Sequence, residues 1–232
     1  MTIQLYDLVG ADPARPFSPH CWKARMALAH KGLKPEVLPV RFPEVASLEG
    51  GGGRTVPLVR DGDTVVQDSF AIAEYLDDRY PDRPMLFEGM SGRALTRFVE
   101  SWMQRAVHPY LVSVAVLDIH DLQDREGQAW FRAKREALFG KSLEEVQSGR
   151  TPESAAAFAR TLEPLRVTLK RQPFLGGETP RFADHIVFGG FQWARVATRY
   201  PVLPEAGDPI HEWFERCLDL YDALGRRTPA AA

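Results

Sequence analysis

Cysteine is scarce in this chain: 232 residues contain only Cys21 and Cys217, far apart in the sequence. Two such residues offer neither a disulfide framework nor zinc-ligand spacing, so no metal is expected. No apolar run reaches the length of about 18 residues that a membrane helix needs. Lys and Arg number 29 against 31 Asp and Glu, and the basic residues form no cluster, which argues against a nucleic-acid partner. The opening Ile3-Gln4-Leu5-Tyr6 has no basic segment followed by an apolar core, so no secretory signal is read and a reducing cytoplasm is the expected location. Gly50-Gly51-Gly52-Gly53 is not followed by Gly-Lys-Ser/Thr, which excludes a phosphate-cradling loop; this stretch reads as flexible.

What remains is ordinary globular composition, 44% apolar and 26% charged, enough for one large or two small domains. Ile3 and Leu5 alternate with Tyr6 and Leu8 in a strand over 3–8. Ser18 is a good N-cap and Pro19 fits the first helical position, where its missing N–H costs nothing. Trp22, Met26 and Ala29 recur at helical spacing, and Gly32 can end that helix, so 18–31 is predicted helical. A second strand covers 36–40, and 41–55 reads as irregular. Asp61-Gly62 between Leu58-Val59-Arg60 and Thr64-Val65-Val66 signals a hairpin. A helix over 69–80 follows, with Ser69 as its expected N-cap.

Beyond Pro81-Asp82-Arg83-Pro84 nearly every segment has helical period. Leu95, Phe98, Trp102, Ala106 and Tyr110 predict one long amphipathic helix. Trp130, Lys134 and Leu138 predict another, and Phe158, Leu162, Leu165 and Leu169 a third that Pro164 must start or kink. Residues 182–198 are apolar nearly all round, as in a helix central to a bundle. Phe214, Cys217, Leu218, Tyr221 and Leu224 predict the last helix, with Cys217 inert in its core. Phe188-Gly189-Gly190-Phe191 places two glycines in a helix, which fits close packing or room for a ligand. Asp184 would serve a helix start, although Arg181, three residues earlier, cannot cap through an oxygen.

Ser18-x-x-Cys21 stands where thioredoxin-like proteins carry Cys-x-x-Cys, Val56-Pro57 enters a strand, and Asp68-Ser69 opens a helix. Together these resemble the glutathione site of a glutathione S-transferase. The resemblance implies an α+β two-domain fold: a thioredoxin-like βαβ-ββα domain over 1–83, a linker at 84–92 and an all-helical domain over 93–232. It implies a cis Val56-Pro57 bond with the Val56 backbone facing the bound tripeptide, and Asp68 with Ser69 holding the γ-glutamyl end. It also implies a homodimer, and an acceptor pocket between the domains for which Trp22, Tyr110, His120 and Trp193 are candidates. The run Glu74-Tyr75-Leu76-Asp77-x-x-Tyr80-Pro81-Asp82-Arg83-Pro84-Met85-Leu86-Phe87-Glu88-Gly89 is similar to the glutathione-dependent β-aryl etherases of lignin-degrading bacteria and their fungal relatives. Shorter stretches at 117–122, 143–150, 175–177 and 218–226 agree with the same branch.

Thiol chemistry sets what Ser18 must supply. A free thiol has a pKa near 8.5, and lowering it by two units requires about 2.7 kcal/mol of preference for the anion. A helix N-terminus contributes about 0.3–1 kcal/mol and a hydroxyl donating to an anion about 1.5–3 kcal/mol. Ser18 at a helix start therefore suits the catalytic role, with glutathione as co-substrate attacking a hydrophobic aromatic electrophile. Two rival readings stand beside this one: a thiol oxidoreductase using Cys21, and a non-catalytic binder of aromatic ligands or glutathione conjugates.

Overall fold

The computed structural model describes residues 2–231. Four strands, β1 (Gln4–Leu8), β2 (Glu36–Val40), β3 (Leu58–Asp61) and β4 (Thr64–Gln67), form one mixed sheet in the order β2-β1-β3-β4. β1 and β2 are parallel because α1 (Pro19–His30) provides the crossover between them. β3 runs antiparallel to both β1 and β4, and Gly62, at φ +62°, closes the hairpin. The segment read as irregular is built: a 3₁₀ turn covers Phe42–Ser47 and a short turn, α2 (Leu48–Gly51), follows it.

Both ends of α1 match their residues. Ser18 has extended backbone and its Oγ accepts from the Cys21 amide at 3.2 Å, Pro19 takes the first position, and Gly32 follows the end at φ +67°. The next helix corrects one expectation. α3 (Ser69–Arg79) is capped by Asp68, whose Oδ1 accepts from the amides of Phe70 (2.9 Å) and Ala71 (3.0 Å), so Ser69 is the first helical residue. Aspartate caps as well as serine does, and here the chain turns one residue earlier.

Beyond α3 the regular elements of the described chain are helices, apart from an isolated bridge between Phe174 and Gly177. α4 (Gly89–Trp102) begins inside the stretch expected as a linker and runs through a π-helical turn at Met103–Val107 into α5 (His108–Asp121). α6 (Arg125–Phe139), α7 (Leu143–Gln147), α8 (Pro152–Thr161), α9 (Glu163–Leu169), α10 (Phe182–Ala197) and α11 (Pro209–Ala223) complete the bundle. Pro164 starts α9, separating it from α8. Every residue of α10 except Arg195 is buried, which is why its sequence is apolar nearly all round.

α10 joins the two parts of the molecule. Trp22 of α1 meets Phe188 edge-on at 6.0 Å, and a Cβ on Gly189 would lie 2.5 Å from the Pro19 carbonyl oxygen. The paired glycines thus serve close packing: Gly189 admits α1, and Gly190 admits the Met103 side chain. Asp184, fully buried, accepts from the amides of Leu175 (2.7 Å), Gly176 (3.0 Å) and Arg181 (3.0 Å) and from Trp213 Nε1 (2.9 Å). It ties the loop before α10 to α11 without any help from an Arg181 oxygen.

The last helix departs from its predicted course. Regular geometry ends at Leu220, and Tyr221 and Asp222 take φ of +56° and +58°. Tyr221 Oη sits between His30 Nδ1 (2.8 Å) and His185 Nε2 (3.0 Å), which draws the chain out of helical register. Cys217 is buried as expected. Among the described residues no helix is long and apolar enough to cross a membrane, and no cluster of acidic, His or Cys side chains is placed to hold a metal ion.

Candidate active site

A cavity of about 550 Å³ opens between the sheet domain and the helices. The first turn of α1 supplies Ser18, Pro19 and His20; the 3₁₀ turn supplies Phe42, Pro43, Val45 and Ala46; Arg54, Thr55 and Val56 form the approach to β3. The helical wall comes from α5, α6 and α10, including His108, Trp130, Phe131, Arg135 and Trp193. Apolar side chains dominate, with a few polar groups converging among them, the usual make-up of a small-molecule site.

Ser18 is buried at the floor of this cavity. Its oxygen takes the Cys21 amide, and a hydroxyl that accepts still has its own proton to give. The helix start beneath it adds positive potential. Val56 lines the same space and precedes a cis peptide bond to Pro57. Strand pairing begins only at Leu58, and among the described residues no hydrogen bond engages the Val56 backbone. That exposed edge can pair with an extended peptide, as an added strand would.

Leu58 is paired with Gln67, so Asp68 and Ser69 stand at the same end of the hairpin as Val56 and Pro57. They do not line the large cavity. Asp68 has φ +74° and ψ 128°, a strained conformation for any residue but glycine, and such strain concentrates at functional sites. One of its oxygens caps α3, and among the described residues the other takes no hydrogen bond. Ser69 Oγ is buried without a hydrogen-bond partner among the described residues.

Of the four aromatic and histidine candidates for the acceptor side, the structure brings only Trp193 to the cavity. Trp22 is fully buried between α1 and α10, its Nε1 donating to the Pro16 carbonyl at 2.9 Å. Tyr110 stacks on Phe158 at 4.1 Å, and His120 pairs with Asp121 at 2.8 Å near the end of α5. His120 is adjacent to a lining residue, Ile119, but the helical rotation between successive residues turns it to another face.

Sequence reasoning missed His20, His108, Phe42, Phe131 and Arg135. Trp193 stacks on His108 at 5.1 Å, and His20 lies 6.1 Å from His108. Burial pushes His20 down to about 3 and His108 down to about 4, with the Lys23 cation reinforcing both shifts. Both imidazoles are neutral at pH 7 and can each donate one N–H. Phe42 stacks on Trp130 at 5.2 Å and tilts against Phe131 at 5.3 Å. A π-helical turn just before His108 was the one available signal, and it is visible only in the backbone.

A family model of the glutathione S-transferase N-terminal domain matches residues 17–79, and one of the C-terminal domain matches residues 94–220. The chain belongs to the glutathione S-transferase family. Glutathione transferase GSTFuA3 from Phanerochaete chrysosporium superposes with a TM-score of 0.78 at 26% identity, covering 100% of this chain and 99% of that one. The glutathione S-transferase-like protein ustS of Aspergillus flavus is 25% identical over 83% of this chain and 80% of its own length. Glutathione S-transferase Z1 of Arabidopsis thaliana is 32% identical over 47% of this chain, and the match spans about half of that relative, 52%. The glutathione S-transferase fold therefore accounts for the sheet domain and the helical domain together.

The geometry opposes a redox role for Cys21 within this transferase fold. Its thiol is buried, accepts from the Leu8 amide at 3.5 Å, and is pushed well above its ordinary pKa by burial with the Asp7 carboxylate nearby. A nucleophilic cysteine needs the opposite surroundings.

Proposed function

We propose that this protein is a glutathione transferase whose bound thiolate attacks a hydrophobic aromatic electrophile. The observation that carries the reading is Ser18 at the N-terminus of α1, facing the same aromatic cavity as the unpaired Val56 backbone. Val56 holds the cysteinyl backbone, Asp68 and Ser69 hold the γ-glutamyl end, and the Ser18 hydroxyl donates to the sulfur. The thiol proton passes to solvent. A glutathione transferase of Ceriporiopsis subvermispora solved in complex with glutathione has the same fold, with a TM-score of 0.78 at 22% identity.

Cleavage of a β-aryl ether is the more specific reaction we propose, on the strength of the etherase-like run at 74–89. The S–C bond forms as the C–O bond breaks, and the electron pair leaves with a phenoxide that water protonates. A carbonyl beside the reacting carbon makes it more electrophilic. The enzyme then needs an activated thiolate and correct placement of two reactants. We place the protein in the cytoplasm as a homodimer, a state supported by Met90, Leu95 and Phe98, which lie exposed along α4.

The test is steady-state turnover of a panel of electrophiles with glutathione, together with a fluorogenic β-keto aryl ether followed by phenol release. Conjugation of generic electrophiles with phenol release above the glutathione-only rate is expected. Conjugation without phenol release leaves a transferase and removes the etherase. Binding without any turnover leaves the ligand-binding reading.

A further inference from the structure

The cavity contains an unbalanced charge. Among the described residues that line it there is no aspartate or glutamate, while Arg54 and Arg135 both face it. Arg54 is exposed and water solvates it. Arg135 is half-buried on α6, its guanidinium 5.3 Å from the Phe131 ring centroid, and among the described residues no carboxylate forms an ion pair with it. Its neighbour Arg132 shows the usual solution, pairing with Glu136 and Glu144 at 2.8 Å each. Lys23, near the same wall, is matched by Glu100 at 3.4 Å.

An unpaired cation in apolar surroundings is costly, and the cost is recovered when an anion arrives. Burial pushes the Arg135 pKa down from its ordinary value, yet guanidinium remains charged at any pH the protein meets. Its planar fork matches a carboxylate in a two-bond arrangement. Phe42, Trp130 and Phe131 form flat apolar walls on the same helix and the turn packed against it. His108, close enough to feel the Arg135 charge, adds a neutral donor.

Resting on the transferase reading above, we propose that this cavity selects aromatic acceptors bearing a carboxylate, with the ring between Phe42, Trp130 and Trp193 and the anion on Arg135. Arg135 is then a specificity-determining residue that touches the substrate at a distance from the reacting carbon.

Trp130 and Trp193 line the cavity, so ligand binding is followed by quenching of intrinsic fluorescence with a near-isosteric pair, 2-naphthoate and neutral 2-acetonaphthone. The wild-type protein is expected to bind naphthoate at least ten-fold more tightly. Arg135→Gln should cut that ratio at least ten-fold, and Arg135→Lys should restore part of it. Equal wild-type affinities, or a preference for the ketone, overturn the inference without any variant. So does an Arg135→Gln ratio equal to that of the wild type, or calorimetry in which Arg135→Gln loses glutathione affinity with the ratio unchanged, which would put Arg135 on the tripeptide. A naphthoate preference in a protein that turns over no electrophile refutes the transferase reading alone. Conjugation of neutral electrophiles without any carboxylate preference refutes the Arg135 assignment alone.

Discussion

Ser18 caps α1, and on the proposed reading the same oxygen would also serve the thiolate; the two roles separate by measurement. Ser18→Ala removes the cap of α1 and should cost about 1 kcal/mol of stability. On the proposed reading it would also remove a donor to the thiolate, so kcat should fall about 10–100-fold while glutathione affinity changes little, as expected for a 1.5–3 kcal/mol hydrogen bond to a charge. Ultraviolet titration of the bound thiol should show its pKa rising in the variant; an unchanged pKa would take Ser18 out of the chemistry. If Cys21→Ser abolished activity while Ser18→Ala preserved it, the redox reading would win instead. Asp68 divides in a similar way. Asp68→Asn keeps an oxygen to cap α3 but loses the charge, so glutathione binding should weaken at least ten-fold with little change in melting temperature. Isothermal titration showing wild-type affinity would remove Asp68 from the γ-glutamyl site.

At the level of elements, the contact of α1 with α10 positions the turn that carries Ser18. Gly189→Ala drives a methyl against the Pro19 carbonyl, backbone that cannot yield cheaply, and should destabilise by about 1–3 kcal/mol. Gly190→Ala meets the flexible end of Met103 and should cost less. Equal melting temperatures for the two variants would contradict this account of the interface. The etherase-like stretch also acts at this scale. Tyr75 and Tyr80 donate to Asp61 at 2.9 and 2.5 Å, and Asp77 accepts from the Leu86 (2.9 Å) and Phe87 (3.0 Å) amides while pairing with Lys31. These contacts brace α3 and the residue after it against the end of β3, the end of α1 and the segment leading to α4. None of these residues lines the cavity. That run therefore braces the scaffold around the cavity and supports the etherase reading through its likeness to that branch, without itself touching the substrate.

The whole molecule is expected to behave as a dimer and to weaken in mild acid. Light scattering should give twice the 26.1 kDa chain mass, and Phe98→Arg should shift it toward the monomer. A wild-type monomer mass would reject the exposed side of α4 as an interface. The acid prediction rests on four histidines. Burial lowers the pKa of His20, His30, His108 and His185 below the ordinary histidine value. Below about pH 6.5 the unfolded chain takes up protons that the folded one refuses, so stability is intact above that pH and falls as pH drops. Melting temperature should decline from pH 6.5 to 5 before most carboxylates titrate. A flat profile over that range would show that these groups are not held neutral.

What this sequence determined by itself was local: the cap and proline that start α1, the Asp61-Gly62 hairpin, the proline that opens α9 and the all-round apolarity of α10. Each depends on residues within one or two turns of one another, so the pattern is written in neighbouring letters. Ser18 and the strand entry at Val56 were legible for the same reason. Tertiary structure decided the rest. Trp22, Tyr110, His120 and Trp193 look alike as aromatic or imidazole side chains, and only packing put Trp193 on the cavity while seating Trp22 against Phe188 and Tyr110 on Phe158. The break at Tyr221 comes from histidines 191 and 36 residues away. Arg135 reads as one more charge on an amphipathic helix until it is seen that no carboxylate among the described residues pairs with it, a property of space that no local spacing encodes.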